Sequence, residues 1–126
     1  MIRMRMNHPK KQYVPNVIQH KRKKELEKKR RLNVLYLRNK FLAEWASSIL
    51  RLDDNKKRKY IKKVTSREFK KDDNKYVVKE IEKDFANNNI KISFNEIELK
   101  IKDFQIKANI IEENKLKLNS MHQSVK

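Results

Sequence analysis

The sequence predicts an all-α fold: a small four-helix bundle with a long N-terminal helix and a basic N-terminal tail. Apolar residues recur at intervals of three, four and seven, which is the spacing of one face of a helix. The 126 residues include no Gly and only two Pro, so signals for β-turns are few. Clusters of Asp and Asn interrupt the apolar pattern and mark the connections between the helices.

The chain is predicted to comprise a basic irregular tail over residues 1–15, a helical domain over residues 16–118 and a frayed C-terminus over residues 119–126. The first helix extends from Asn16 to about Arg51. Asn16 is a suitable N-cap because its side chain can accept a hydrogen bond from a free backbone N–H group of the first turn.

The first helix carries apolar residues that are expected to form part of the core. Leu42, Trp45 and Ile49 recur at steps of three and four within RNKFLAEWASSIL, a stretch with a single Lys in a Lys-rich chain. We interpret Trp45 as a core residue because aromatic side chains bury large apolar areas. The alternative is that Trp45 contacts a partner protein, since Trp is enriched among the interface residues that contribute most to the binding energy.

The second helix is predicted after Asp53 or Asp54, either of which can act as its N-cap. It extends to about Lys71 and directs Val64 toward the core, with Phe69 as a further inward candidate. A cluster of Asp and Asn follows, where the helical pattern stops.

The third helix carries Ile81 and Phe85, which lie four residues apart and therefore on one face of the helix. Both side chains are predicted to lie in the core. Residues 87–89 are all Asn and end this helix, because Asn tolerates the left-handed backbone conformation found at helix C-termini.

The fourth helix begins after Ser93, which stands three residues before Glu96 in the pattern of a capping box. In that arrangement each side chain accepts a hydrogen bond from the backbone N–H group of the other residue. Ile101 lies on the apolar stripe of this helix and is predicted to be a core residue. The helix is expected to extend to about Lys115.

The net charge of +18 indicates a polyanionic or acidic partner. Residues 1–31 hold 12 Lys and Arg against two Glu, and we favour a binding role for this region. The alternative is a solvated helix with ion pairs between Glu25 and Lys29 and between Glu27 and Arg31. The abundance of Lys, Asn and Ile beside scarce Gly, Ala and Pro also indicates an A/T-biased genome, which accounts for part of the Lys content.

The sequence predicts no enzyme active site, no cofactor and no metal site. Without Gly there is no phosphate-binding loop, and His8, His20 and His122 lack the spacing of metal ligands. Asp53-Asp54 and Asp72-Asp73 lie in breaks between helices, where helix capping explains them. The absence of Cys fits a reducing compartment, either the cytoplasm of a bacterium or the mitochondrial matrix of a protist. No apolar run is long enough to span a bilayer, and the first residues lack the apolar block of a secretory signal.

Four segments in register, within residues 38–46, 59–69, 76–85 and 92–108, resemble the zeta subunit of alphaproteobacterial F-type ATP synthases, a family of ATPase inhibitors. RNKFLAEWA at residues 38–46 is similar to the family's RNKLLGLWAA. The other three segments are similar to the family's AYAKEVV…DF, DVVRKI…DF/L and IS…V…KM…A. Their matching residues are Lys59–Val64 with Glu68-Phe69, Tyr76–Lys79 with Ile81 and Asp84-Phe85, and Ile92-Ser93 with Ile97, Lys100-Ile101 and Ala108. The resemblance covers about residues 37–113.

The resemblance implies a four-helix domain whose N-terminal helix enters the catalytic head of the ATP synthase, wedges between catalytic and non-catalytic subunits and blocks ATP hydrolysis. The family's inhibitory segment is rich in Phe and acidic residues. The aligned residues 16–31 contain no Phe and are basic, and Glu25-Leu26-Glu27 is their closest match to that segment. On this hypothesis the partner-binding residues are Arg22, Lys24, Leu26, Arg30, Arg31, Leu32 and Leu35.

Binding to RNA or to a ribosome-like assembly through residues 1–31, as a structural protein, is the alternative function. The RNA contacts would be made to phosphates, because Tyr13 and Tyr36 are the only aromatic residues in or near this region that could stack on bases. An acidic membrane surface is a third candidate partner. It ranks last because the basic region lacks an apolar face rich in aromatic residues, and no membrane insertion is expected.

Overall fold

The computed structural model describes the backbone of residues 7–125 and the side chains of residues 21–119. Over residues 7–125 the chain forms four α-helices and a 3₁₀ turn, with no strand. The α-helices are α1 (Asn7–Ile49), α2 (Asp54–Val64), α3 (Lys75–Asn87) and α4 (Phe94–Val125), and the 3₁₀ turn is Arg67–Phe69. The predicted all-α fold, a small bundle of four helices, is confirmed. None of the helices among the described residues is both long and apolar enough to cross a membrane.

The chain forms two structural units, Met1–Arg31 and Leu32–Lys126. In the first unit, residues 7–31 are helical and belong to α1. The second unit contains the hydrophobic core, which is built from α1, α2, α3, α4 and the 3₁₀ turn. The buried members of the core cluster are Leu42, Ala43, Ala46, Val64, Phe69, Val77, Val78, Ile81, Phe85, Ile97 and Ile101.

The residues expected in the core differ in how deeply they are buried. Leu42, Val64, Ile81, Phe85 and Ile101 are completely inaccessible to solvent and belong to one cluster. Trp45 and Ile49 are partly buried and pack against that cluster from its edge.

The indole of Trp45 meets the ring of Phe85 edge to face, with centroids 5.6 Å apart and an interplanar angle of 75°. This geometry is favourable because the positive edge of one ring faces the negative face of the other. The ammonium group of Lys100 lies 5.8 Å from the Trp45 ring centroid. Trp45 therefore lies between the core and the side chain of Lys100 in α4.

In the second unit, α1 and α4 pack side by side in opposite directions. The side-chain amide of Asn33 donates a hydrogen bond to Glu112 at 3.4 Å, and the rings of Phe41 and Phe104 lie 6.0 Å apart. Because residue numbers rise along α1 while those of their partners fall along α4, the two helices are antiparallel. Glu112 is buried, and its carboxylate lies 3.0 Å from the ammonium group of Lys115.

The local signals for helix ends had mixed outcomes. Asp53 caps α2 as predicted, because its carboxylate accepts a hydrogen bond from the backbone N–H of Lys56 at 2.8 Å. Ser93 caps α4 as predicted and accepts from the N–H of Glu96 at 3.2 Å. The other half of the capping box differs: the Glu96 carboxylate accepts from the Ser93 hydroxyl at 3.3 Å. Asn89, just beyond α3, adopts a left-handed conformation with φ 59°.

Three helix ends differ from the prediction. Helix α1 begins at Asn7, so that Asn16 lies within it, and α4 continues past Lys115 to Val125. Helix α2 ends at Val64 and does not reach Lys71. The boundaries of the predicted tail, domain and frayed end stay predictions, and the first six residues of the tail lie outside the described residues.

Helix α2 ends early because the chain turns at Ser66 and buries Phe69 in the core. The Thr65 hydroxyl donates to the carbonyl of Ile61 at 2.7 Å, and Ser66 adopts an extended conformation. The following 3₁₀ turn then places Phe69 in the core.

Candidate functional site

The strongest candidate for a functional site is residues 21–31 of α1, which we call the basic segment. It contains eight Lys and Arg, two Glu and a single apolar residue, Leu26. Every side chain in it is exposed, and Leu26 is 66% exposed. Because a helix rises about 1.5 Å per residue, the segment is about 16 Å long. It therefore presents a dense array of cations on a regular scaffold.

The cations of the basic segment are not neutralised by neighbouring acids. The ion pairs that belong to the alternative of a solvated helix, between Glu25 and Lys29 and between Glu27 and Arg31, are not formed. Among the side chains of residues 21–119, all ion pairs lie elsewhere. Exposed pairs of this kind contribute only a few tenths of a kcal/mol, so leaving them open costs little. The segment keeps its net positive charge available for a partner.

The cations also point in every direction around the helix axis. Successive residues of an α-helix are rotated by about 100°, so eight cations among eleven residues cannot share one face. Lys21, Lys23 and Lys24, for example, are separated by at least about 60° from one another in projection. A partner could thus meet positive charge from any side of the basic segment.

The residues predicted to bind a partner fall into two groups by exposure. Those within the basic segment, Arg22, Lys24, Leu26, Arg30 and Arg31, are exposed. Leu32 is 39% exposed, whereas Leu35 is only 3% exposed and serves the fold of the second unit. Leu35 is therefore not accessible to a partner in this conformation, which leaves Leu26 and Leu32 as the accessible Leu residues.

The RN pair at the start of RNKFLAEWA has a structural role. Arg38 is 1% exposed, and its Nη2 donates to the carbonyl of Lys71 at 3.1 Å and to that of Phe69 at 3.4 Å. Asn39 accepts from Arg38 Nε at 2.9 Å and donates to the Phe69 carbonyl at 2.8 Å. Burial lowers the pKa of Arg38 to about 10, an effect that Asp72 opposes. The guanidinium thus stays charged at neutral pH and fastens the chain after α2 to α1.

A second polar cluster joins α2 to α3. The Tyr60 hydroxyl donates to Asp84 at 2.8 Å, and Lys63 pairs with Glu80 at 2.8 Å and with Asp84 at 3.8 Å. Burial, together with the hydrogen bond to Asp84, raises the pKa of Tyr60, and the contact with Lys63 lowers the pKa of Glu80. These groups satisfy one another, so we assign them to the fold.

One residue of each Asp pair accepts a hydrogen bond from a backbone N–H near the start of a helix. Asp53 caps α2, and Asp73 accepts a hydrogen bond from the backbone N–H of Lys75 at 3.0 Å. Within the described residues, no group of three or more His, Asp and Glu is placed to hold a metal ion. The side chains of the three His residues lie outside the described ones.

The burial of Arg38 and Asn39 was not predicted from the sequence. The signal was present, because both positions fall on the inward stripe that contains Leu35 and Leu42. Polar residues on a core-facing stripe predict buried hydrogen bonds. Arg is rarely buried, however, and its partners here are backbone carbonyls that a sequence pattern does not reveal.

The comparison with protein families gives one match. The model of the family described as ATPase inhibitor subunit zeta matches residues 19–110, which is most of the chain. The match includes the basic segment and the core helices of the second unit as far as the middle of α4. No curated protein and no solved structure shows a significant match to the chain.

Proposed function

Because the chain belongs to the ATPase inhibitor subunit zeta family, we propose that it binds the catalytic head of an F-type ATP synthase through α1 and inhibits ATP hydrolysis. The observation that carries this proposal is the family match itself, which begins at residue 19 and includes the whole basic segment. A match confined to the core helices would have supported the fold alone, because it would not have included the part of α1 that we propose to bind the ATP synthase head. The protein would act as a regulator and not as an enzyme.

The apolar contacts of the proposed complex are made by Leu26 and Leu32. Neither side chain is needed for the core, since they are 66% and 39% exposed. Burying such a Leu against a partner contributes up to about 1.5–3 kcal/mol. Arg22, Lys24, Arg30 and Arg31 lie on the same helix and would make charged contacts, which contribute to orientation and association rate more than to affinity.

The part of α1 that belongs to the second unit is held in place by the fold of that unit. Residues 34–46 of α1 are held by core contacts and by the hydrogen bonds of Arg38 and Asn39. Holding part of a binding helix in its bound conformation lowers the entropy lost on association. We place the protein in the compartment that contains the ATP synthase head, the cytoplasm of a bacterium or the mitochondrial matrix of a protist.

An ATPase assay tests the proposal. The intact protein should inhibit ATP hydrolysis by the cognate ATP synthase, and residues 32–126 alone should not. The double variant Leu26→Ala/Leu32→Ala should raise the half-inhibitory concentration at least about tenfold, which corresponds to about 1.4 kcal/mol.

A matched control is available on α4, where Leu99 and Ile106 are 65% and 59% exposed. The variant Leu99→Ala/Ile106→Ala removes a comparable apolar area, and its inhibition should equal that of the unchanged protein. If the intact protein does not inhibit, or if both double variants lose inhibition equally, binding through α1 is wrong.

A further inference from the structure

The basic segment has a composition that an apolar cleft does not explain. The cores of protein interfaces are depleted in Lys and Glu and enriched in aromatic residues. The basic segment has no aromatic residue and only Leu26 as an apolar one. Interfaces with nucleic acids are more polar and much more positively charged. By composition, residues 21–31 match the second class.

The geometry of the charges narrows the class of ligand further. A flat surface, whether of a membrane or of a protein, contacts one face of a helix and leaves the cations on the opposite face in water. A flexible chain of phosphates can bend around the helix and reach several faces. Since the cations of the basic segment lie on all sides and all are exposed, a flexible polyanion uses more of them than a flat surface does.

The absence of ion pairs within the basic segment adds an energetic argument. Among the described residues, no Lys or Arg of residues 21–31 forms an ion pair that would have to break before the side chain contacts a phosphate. Each contact with a phosphate then releases a condensed counterion from the nucleic acid, which is the main source of affinity in sequence-independent binding.

We propose that the basic segment binds single-stranded RNA through its phosphates and without sequence preference. Its cations contact phosphates on more than one side of α1, and no base stacks on the segment because it has no aromatic side chain. The proposal concerns the free protein and does not rest on the inhibition of ATP hydrolysis.

The test measures binding of the full-length protein to a fluorescently labelled oligo(U) by anisotropy at several salt concentrations. With about four phosphates contacted, the log–log slope of affinity against salt is about −3, so that affinity falls about fiftyfold between about 50 and 200 mM salt. An oligo(A) of equal length should bind within about twofold of oligo(U), because the phosphates are the same.

Two variants with equal loss of charge separate the basic segment from the overall charge of the protein. The first replaces Lys23, Lys24, Lys28 and Lys29 by Gln. The control replaces four exposed cations of α2 by Gln, namely Lys56, Arg58, Lys59 and Lys62. The first variant should lose at least about tenfold in affinity at about 100 mM salt and about half of the salt slope. The control should change affinity less than about threefold.

Three outcomes would overturn the proposal. Equal losses in the two variants would show that affinity follows net charge and not the basic segment. A salt slope near zero for the unchanged protein would exclude phosphate contacts. Equally tight binding of polyglutamate, tested as a competitor of similar length, would assign the segment to acidic proteins. Circular dichroism of both variants checks that α-helical content is unchanged, since Gln and Lys have similar helix propensities.

Discussion

The guanidinium group of Arg38, in α1, donates a hydrogen bond to the backbone carbonyl of Lys71, 33 residues further along the chain, at a distance of 3.1 Å. The same group reaches the Phe69 carbonyl, and Phe69 is a member of the core. A buried cation therefore holds the turn between α2 and α3 in place, with no carboxylate of residues 21–119 within ion-pairing distance. Its charge is compensated by carbonyl dipoles and by the amide oxygens of Asn39 and Gln105.

Replacing Arg38 should destabilise the fold strongly. Arg38→Ala leaves a cavity and removes the donors from the carbonyls of Phe69 and Lys71, so the free energy of unfolding should fall by about 3 kcal/mol. Arg38→Lys keeps the charge but loses the planar fork, and should still cost about 2 kcal/mol. Urea denaturation followed by circular dichroism measures both. The exposed Arg58→Ala serves as the control, and equal stability of Arg38→Ala and Arg58→Ala would contradict the assigned role.

Trp45→Ala should lower the free energy of unfolding by about 3 kcal/mol, the lower end of the range for large aromatic residues. The lower end is expected because Trp45 is only partly buried, although it contacts Phe85 edge to face. Trp45→Phe should lose less than half as much stability as Trp45→Ala. An unchanged melting temperature in Trp45→Ala would indicate that this side chain serves a partner and not the core.

Ser93→Ala should cost about 1 kcal/mol, because the backbone N–H of Glu96 loses the side-chain oxygen that caps α4. Ser93→Asp preserves an acceptor beside the helix N-terminus and should be close to neutral. Thermal unfolding of the two variants side by side provides the measurement. Equal unfolding temperatures for Ser93→Ala and Ser93→Asp would show that water replaces the side-chain cap without loss of stability.

Arg51→Gly should stabilise the protein. Arg51 follows α1 with φ 57°, a left-handed conformation that costs an L-residue with a Cβ about 1–2 kcal/mol. Gly adopts it without that cost but loses about 0.5–1 kcal/mol through the entropy of the unfolded chain, so a net gain of up to about 1.5 kcal/mol is expected. Arg58→Gly, in the interior of α2, is the opposite case and should destabilise by about 1 kcal/mol. A loss of stability in Arg51→Gly would mean that the Arg side chain makes a compensating contact.

The sequence predicted those features whose cause is local. Asp53, Ser93 and Asn89 could be assigned because a cap or a left-handed residue depends on a few neighbours. The early end of α2 could not be predicted, because Phe69 leaves the helical path to enter a core assembled by distant residues. The hydrogen bonds of Arg38 could not be predicted either, because their acceptors include the backbone carbonyl of the distant residue Lys71, which a sequence pattern does not reveal.

The candidate site was also predicted only in part from the sequence. The charge of residues 21–31 is visible in the sequence, and so is the exposed position of Leu26 among eight cations. Leu35 looked equally suited to a partner because it continues the apolar pattern of α1. Its 3% exposure fits its position seven residues before Leu42 on the same inward stripe of α1, which the prediction of a partner contact did not take into account.

The two proposed ligands require the same residues, and this has a measurable consequence. If the ATP synthase head and single-stranded RNA both occupy residues 21–31, binding of one excludes the other. For such competition the half-inhibitory concentration rises by a factor of one plus the ratio of RNA concentration to its Kd. Oligo(U) at about ten times its Kd should therefore raise it about tenfold. The variant with Gln at residues 23, 24, 28 and 29 should show a much smaller response to RNA, whatever its own inhibitory strength. Inhibition that is unaffected by saturating oligo(U), in a protein shown to bind both ligands, would place them on different surfaces of the chain.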